Sequence, residues 1–338
     1  MDKIKVGLLG GTGLVGQEFA RMISDHPFLE LVSVYASVRS SGSRYSAFLS
    51  DDSLAASYDH MVVKKADTQT ILGDRNDIIF SAVSDSAAGN IEKDLAARGV
   101  KVFTNASANR MDPKVPLVVP EINASILESL NSDGGYIVAN GNCSTIGLAL
   151  GIAPLSGYGI RKVNVTTMQA VSGAGYPGVP SLDILSNIVP FIQSEEEKIA
   201  RESAKIFASP DLDVNATCTR APLRNGHLES VTVTLDSMAD ESDIVRSYRN
   251  FKNGALKSAF PTLPENSVIL RNEKDRPQPL LDVMAGSPDR ARGMAVTVGR
   301  IRKKGNDISM LVLVHNLIRG AAGSAILNAE ITLSGGAR

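Results

Sequence analysis

A cysteine set among polar residues, Gly141-Asn142-Cys143-Ser144-Thr145, stands between a β-rich run, 136–139, and an apolar, helix-like run, 146–155. That order predicts a sulfur at a helix N-terminus. Free backbone N–H groups and the positive end of the helix dipole favour a thiolate there, and can hold an oxyanion formed when sulfur attacks a carbonyl. Free cysteines more often pack as small hydrophobes, which is the reading adopted for Cys218. The partner of Cys143 is expected to be a histidine. Of His26, His60, His227 and His315, only His227 sits in a dense polar cluster, Arg220-Ala221-Pro222-Leu223-Arg224-Asn225-Gly226-His227-Leu228-Glu229.

A second chemical motif opens the chain. Gly10-Gly11-Thr12-Gly13-Leu14-Val15-Gly16 follows a strand-like run and precedes a helical one, the setting in which small residues let the backbone approach a pyrophosphate. Gly10, Thr12, Gly13, Leu14 and Val15 are therefore expected to line a dinucleotide. Where an NAD enzyme usually carries an acidic residue for the ribose 2′-hydroxyl, this chain reads Ala36-Ser37-Val38-Arg39-Ser40-Ser41-Gly42. Arg39, with the hydroxyls of Ser37 and Ser40, suits a 2′-phosphate, so NADP is favoured over NAD.

The elements needed to position these residues follow from the alternation of patterns. Residues 3–9 read as a buried strand, 14–25 as a helix and 29–36 as a second strand; 77–83, 101–104, 117–120 and 136–139 continue the strands, with a helix at 87–98. Repeated β and α units imply an α/β fold with a Rossmann-type, doubly wound parallel sheet. After Cys143, longer strands at 162–170, 227–235, 294–302 and 309–314, with helices at 184–201 and 241–255, suggest a mixed or antiparallel sheet in a second, α+β domain. The division expected is a nucleotide-binding domain at 1–142, completed by a C-terminal helix within 316–338, and a second domain at 143–315. A last helix at 320–329 is expected to pack back on the first domain.

Composition narrows the partners. At 338 residues the chain is about the size of two domains, and 35 Lys and Arg against 36 Asp and Glu leave no overall field for nucleic acid or an anionic membrane. Two cysteines and four scattered histidines show no bridge framework and no metal-ligand spacing, so no metal is expected. No run approaches a membrane span or a signal peptide, and a cytoplasmic setting is expected. The run Ser194-Glu195-Glu196-Glu197-Lys198 lies in a predicted helix, where Glu195 and Lys198 share a face.

Taken in order, several motifs resemble the aspartate-semialdehyde dehydrogenase family, in particular its archaeal and fungal branch, along nearly the whole chain. They are Leu9-Gly10-Gly11-Thr12-Gly13-Leu14-Val15-Gly16, Asn105-Ala106-Ser107-Ala108-Asn109-Arg110-Met111, Val119-Pro120-Glu121-Ile122-Asn123, Gly141-Asn142-Cys143-Ser144-Thr145, Glu195-Glu196-Glu197-Lys198-Ile199, Arg220-Ala221-Pro222 with Gly226-His227 and Glu229, and His315-Asn316-Leu317 with Gly320-Ala321-Ala322. The resemblance implies NADPH-dependent reduction of L-aspartyl 4-phosphate to L-aspartate 4-semialdehyde with release of phosphate, on the route to lysine, threonine, methionine and diaminopimelate. It implies Cys143 as nucleophile, His227 as acid/base and Gln169 as a group orienting the acyl carbon. It further implies Arg220 on the substrate carboxylate, Glu195 on its amino group, and Arg110 and Lys198 on the phosphate. Ser172, Gly173 and Asn316 are implied as cofactor contacts, the second domain as the dimerisation domain, and a homodimer or homotetramer as the assembly.

Three rivals share these features in part. N-acetyl-γ-glutamyl-phosphate reductases typically carry Gly-Cys-Tyr-Pro-Thr around the nucleophile, unlike this chain. Malonyl-CoA reductases of the archaeal branch keep the same cysteine, but their substrate has no amino group for Glu195. A catalytically silent NADP-binding regulator would not need the nucleophile, acid/base and anion-binding arginines together.

Overall fold

A computed structural model describes residues 3–83, 85–130, 134–256 and 259–334. Strands β1 (Ile4–Leu9), β2 (Leu29–Ala36), β3 (Lys64–Lys65), β4 (Ile78–Ser81), β5 (Lys101–Thr104), β6 (Leu117–Val118) and β7 (Tyr136–Asn140) form one sheet. Its order is β3-β2-β1-β4-β5-β7-β6, and each neighbouring pair is parallel. The strands are apolar runs because both faces are covered: Val6, Leu8, Leu9, Ile78, Ile79 and Phe80 are buried. Strand order reverses beside β1, and ligand crevices in such sheets open there, at the carboxyl ends of the strands. Residues 10–13 leave β1 at that edge and Cys143 follows β7 at the same edge.

The longer helices are α1 (Leu14–Ile23), α2 (Asp85–Ala97), α3 (Cys143–Ile152), α4 (Glu195–Ile206), α5 (Glu241–Phe251) and α6 (Gly323–Leu333). Helix α3 is apolar on all sides because it is covered on all sides, with Ile146, Leu148, Ala149, Leu150 and Ile152 fully buried. Gly147 and Gly151 let it lie close against the second sheet, since a Cβ on either would stand within 2.8 Å of Val314 or Val312.

That second sheet contains β8 (Ile160–Gln169), β9 (Asp213–Arg220), β10 (His227–Leu235), β11 (Val268–Arg271), β12 (Val296–Lys304) and β13 (Asp307–Val314), in the order β11-β12-β13-β10-β8-β9. It is mixed: β8/β9 and β11/β12 are parallel, the other pairs antiparallel. Strand pleating sorts the chemistry. Gln169 pairs with Arg220 and Thr167 with both Cys218 and Glu229, so Arg220, Gln169 and His227 form one row across the sheet and Cys218, Thr167 and Glu229 the row behind it.

The helix expected at 184–201 is formed only in its second part, from Glu195. A single turn, Ser181–Ile184, is followed by non-helical chain that bridges Val189 to Arg220, and α4 begins only at Glu195. Pro190 explains the difference, because it holds the preceding residue out of helical geometry. The helix expected at 241–255 ends at Phe251, and strands β9 and β11 were not anticipated from the sequence. The terminal helix runs 323–333 rather than 320–329. It is preceded by a wider turn, Ile318–Ala322, in which the Gly320 and Ala322 amides donate to the carbonyls of His315 and Leu317, five residues back. Helix α6 packs on β5 and β7, as expected. No helix among the described residues is long and apolar enough to cross a membrane.

Candidate active site

Cys143 is the first residue of α3, and Asn142 caps that helix: its Oδ1 accepts from the Ser144 and Thr145 amides at 3.0 and 3.2 Å. The other end of the same side chain donates to both oxygens of Glu195, at 3.0 and 2.9 Å. The Asn142 amide donates to Glu202 Oε2 at 2.5 Å. Both glutamates stand on α4, seven residues apart and hence on one face. Of the three consecutive glutamates, Glu195 is the buried one facing Asn142; Glu196 receives the Cys218 amide at 3.0 Å, and Glu197 is exposed.

Opposite the sulfur, the second sheet presents His227, whose Nε2 lies 3.2 Å from Cys143 Sγ. Its Nδ1 accepts the Ala170 amide at 3.0 Å. A backbone amide only donates, so Nδ1 carries the lone pair and, in the neutral ring, Nε2 carries the hydrogen directed at sulfur. An imidazolium would oppose its Nδ1–H to the Ala170 N–H. Burial, followed by the charge of Arg220, holds His227 down to about 3. Burial, followed by Glu195, pushes the Cys143 thiol up to about 12, outweighing the opposing pull of Arg110, the Ser144 amide and Arg220.

Burial therefore works against the standing thiolate expected from the helix position. Two first-turn amides already serve Asn142, and desolvation dominates.

Gln169 is buried, with Nε2 3.3 Å from Thr167 Oγ1 and from Glu195 Oε2. Arg220 is buried and donates from Nη1 to the Ala170 carbonyl at 2.8 Å. Lys198 is partly exposed, with Nζ 3.9 Å from Glu195 Oε1. Arg110 is buried and already engaged: Nη1 reaches Glu202 Oε1 at 2.9 Å and Nη2 the Asn105 carbonyl. Arg110, Lys198 and Asn142 line a cleft with Val15, Ala82 and Asn105. Arg110, Lys198 and the start of α1 thus share one opening.

The first turn of α1 fits a pyrophosphate. Its N-cap residue, Gly13, supplies no side-chain cap. Gly10 adopts φ +85°, and a Cβ on Gly16 would meet the Gly10 carbonyl at 2.4 Å, so these two are small for the turn itself. A Cβ on Gly13 would meet nothing nearer than 3.7 Å, so its smallness leaves room for something outside the protein. Ser37 and Arg39 are exposed on a tight turn in which the Ser40 and Ser41 amides donate to the Ser37 carbonyl. Asn316 joins the loop after β8 to the loop before β10, donating to Ser172 Oγ at 2.9 Å and accepting the Gly226 amide at 2.8 Å.

Residues outside the sequence expectation complete the site. Glu202 had a signal, the spacing Glu195, Lys198, Glu202, Lys205, which keeps one helix face. Gly320 packs directly behind Cys143, where a Cβ would stand 2.6 Å from that of the cysteine. Glu229, two residues beyond His227, is wholly buried with neither oxygen hydrogen-bonded, and burial raises its carboxyl well above the usual range.

Comparison with known proteins agrees with this geometry. The model of the semialdehyde dehydrogenase NAD binding domain matches residues 5–130, and that of the semialdehyde dehydrogenase dimerisation domain matches 152–319. The chain is 41% identical to the aspartate-semialdehyde dehydrogenase of Methanothermobacter thermautotrophicus, over 97% of this chain and 98% of that one. It is also 41% identical to that of Archaeoglobus fulgidus, over 98% of each. Among solved structures, aspartate semialdehyde dehydrogenase with NADP from Candida albicans superposes with a TM-score of 0.84 at 33% identity, over 99% of both chains.

Proposed function

The chain belongs to the semialdehyde dehydrogenase family and is similar to archaeal and fungal aspartate-semialdehyde dehydrogenases, and on that premise we propose that it reduces L-aspartyl 4-phosphate to L-aspartate 4-semialdehyde, releasing phosphate, through a thioester on Cys143. The observation that carries the reading is the approach of Cys143 Sγ to His227 Nε2, 3.2 Å, beside a cleft edged by cations and by the capless start of α1.

NADP fits the first sheet. Gly10, Thr12, Gly13, Leu14 and Val15 would hold its pyrophosphate, Arg39 with Ser37 and Ser40 its 2′-phosphate, and Ser172, Gly173 and Asn316 its nicotinamide half. In its reduced form it supplies the hydride. Every other part falls to side chains. Arg220 takes the substrate α-carboxylate and Glu195 its ammonium, which places the acyl carbon at sulfur, with Gln169 beside it. Lys198 and Arg110 stabilise the departing phosphate. His227 Nε2–H, already aimed at sulfur, donates to the oxyanion formed at the acyl carbon. Nε2 holds the ring hydrogen at rest, so it can accept the thiol proton only after the Ala170 amide releases Nδ1 and the ring hydrogen passes to Nδ1, leaving the lone pair on Nε2.

The two sheets support a division into a nucleotide-binding unit, 1–142 completed by 316–338, and a catalytic unit, 143–315. Leu182, Leu185, Ile188 and Phe191 are exposed on one segment inside the region matched by the dimerisation model, which supports a homodimer or homotetramer. A cytoplasmic location belongs to the same reading.

The test is phosphate-dependent reduction of NADP with aspartate semialdehyde, beside Cys143→Ala. Turnover by the wild type and none by the variant, with NADP binding retained, is the expected result. Activity with malonyl-CoA alone, or turnover surviving loss of the thiol, would overturn it.

A further inference from the structure

Helix α4 touches the site through Glu195, Lys198, Glu202 and Lys205. Glu202 divides its two oxygens between two loops of the first sheet. Oε1 accepts Arg110 Nη1 at 2.9 Å and Oε2 accepts the Asn142 amide at 2.5 Å, with the side chain only 2% exposed. Arg110 and Asn142 come from different loops of the first sheet, one after β5 and one after β7. Lys205, one turn on, fixes the Arg110 loop again, donating to the carbonyls of Arg110, Asp112 and Val115 at 2.6, 2.9 and 2.9 Å. We infer that Glu202 is a positioning residue: its carboxylate ties the guanidinium of Arg110 to the backbone next to Cys143, and so sets the span between leaving-group seat and nucleophile. The inference rests on the proposed acyl-phosphate chemistry for its functional meaning.

The physical case is one of geometry and charge. A buried carboxylate shared by two donors is satisfied only while both stay in place, so each donor restrains the other. Glu202 also neutralises Arg110. Without that counter-charge the guanidinium would hold an anion more tightly and would favour the sulfur anion more strongly, yet its distance from the sulfur would no longer be set.

Glu202→Gln keeps the shape, removes the charge and turns an –NH2 toward one of the two donors, so one tie must break. Turnover with aspartate semialdehyde and phosphate is expected to fall by about a hundredfold, the scale of an ångström-sized misplacement. The KM for phosphate should not rise, and alkylation of Cys143 by iodoacetamide, followed by peptide mass spectrometry, should quicken. Slower turnover beside a more reactive thiol is the signature of lost alignment. Turnover near the wild-type value, or turnover and alkylation falling together, would overturn the inference.

Glu202→Asp guards against a folding failure, since it keeps the charge but is about 1.5 Å too short to span both donors. It should melt close to the wild type and lose about tenfold in turnover; full turnover would refute the bridging role. If the wild type itself shows no phosphate-dependent turnover, the functional reading fails, while the alkylation rate of Glu202→Gln still decides the tie between Arg110 and the nucleophile loop: a quickened rate supports it and an unchanged one overturns it.

Discussion

The resting thiol should be unreactive, against the usual expectation for a nucleophile at a helix start. With Cys143 at about 12 in place of the ordinary 9, the thiolate at pH 8 amounts to about one part in ten thousand, against about one in ten for a free thiol. Because thiolate is the alkylated form, iodoacetamide should modify Cys143 about a thousandfold more slowly than a model thiol at that pH. The rate should climb about tenfold for each pH unit up to about 11. The sign is fixed by the cause: burial penalises the anion, so raising pH supplies what the site withholds. Glu195 is the second cause, and Glu195→Gln should therefore speed the reaction at every pH in the range. The assay is mass spectrometry of the Cys143 peptide after timed alkylation of the free enzyme, which separates it from the buried Cys218. A rate like that of a model thiol, or a plateau near neutral pH, would mean that a Cys143 thiolate and a His227 imidazolium coexist at rest, and would refute the claim that the Ala170 amide bars the imidazolium.

Arg39→Ala should raise the KM for NADP by about ten- to a hundredfold, the worth of one charge-assisted contact, and leave that for NAD nearly unchanged; equal losses measured side by side would remove the 2′-phosphate role. Glu229→Gln should melt higher than the wild type at pH 7 to 8 and lose that advantage near pH 4. The folded-state pKa is raised, so the wild type is most stable below the unfolded value of 4.5 and loses up to about 1.4 kcal/mol per pH unit as pH climbs from there toward the folded value. Parallel melting curves across that range would show that Glu229 is not held protonated. Gly320→Ala should cost about 1–3 kcal/mol by overpacking and slow turnover, since the new methyl meets Cys143 Cβ at 2.6 Å; a variant that melts and turns over like the wild type would show that the wide turn yields freely.

Much of the fold was legible because its signals are local. The strand, glycine turn and helix at 4–23, the start of α3 at Cys143 and the long strand from His227 each follow from short-range pattern and from the period of strand or helix. The non-helical chain at 185–194 was not, because an apolar run containing Pro190 looked helical until its bridge to β9, itself a partly exposed strand of polar residues, became visible. The same distinction runs through the site. Cys143 announced itself by its polar flanks, whereas Glu202 depends on donors 92 and 60 residues away.

The chain by itself determined that Cys143 stands at a helix start, that a glycine turn follows the first strand, and that an α/β sheet is followed by a mixed one, since neighbouring residues are enough to specify each. Only the tertiary structure decided the protonation of the Cys143–His227 pair, the glutamate that faces Asn142, and the pairing of Arg110 with Glu202. Those are matters of desolvation and of partners far apart in sequence, and a burial that pushes a thiol to about 12 is a property of the packed site rather than of any segment in it.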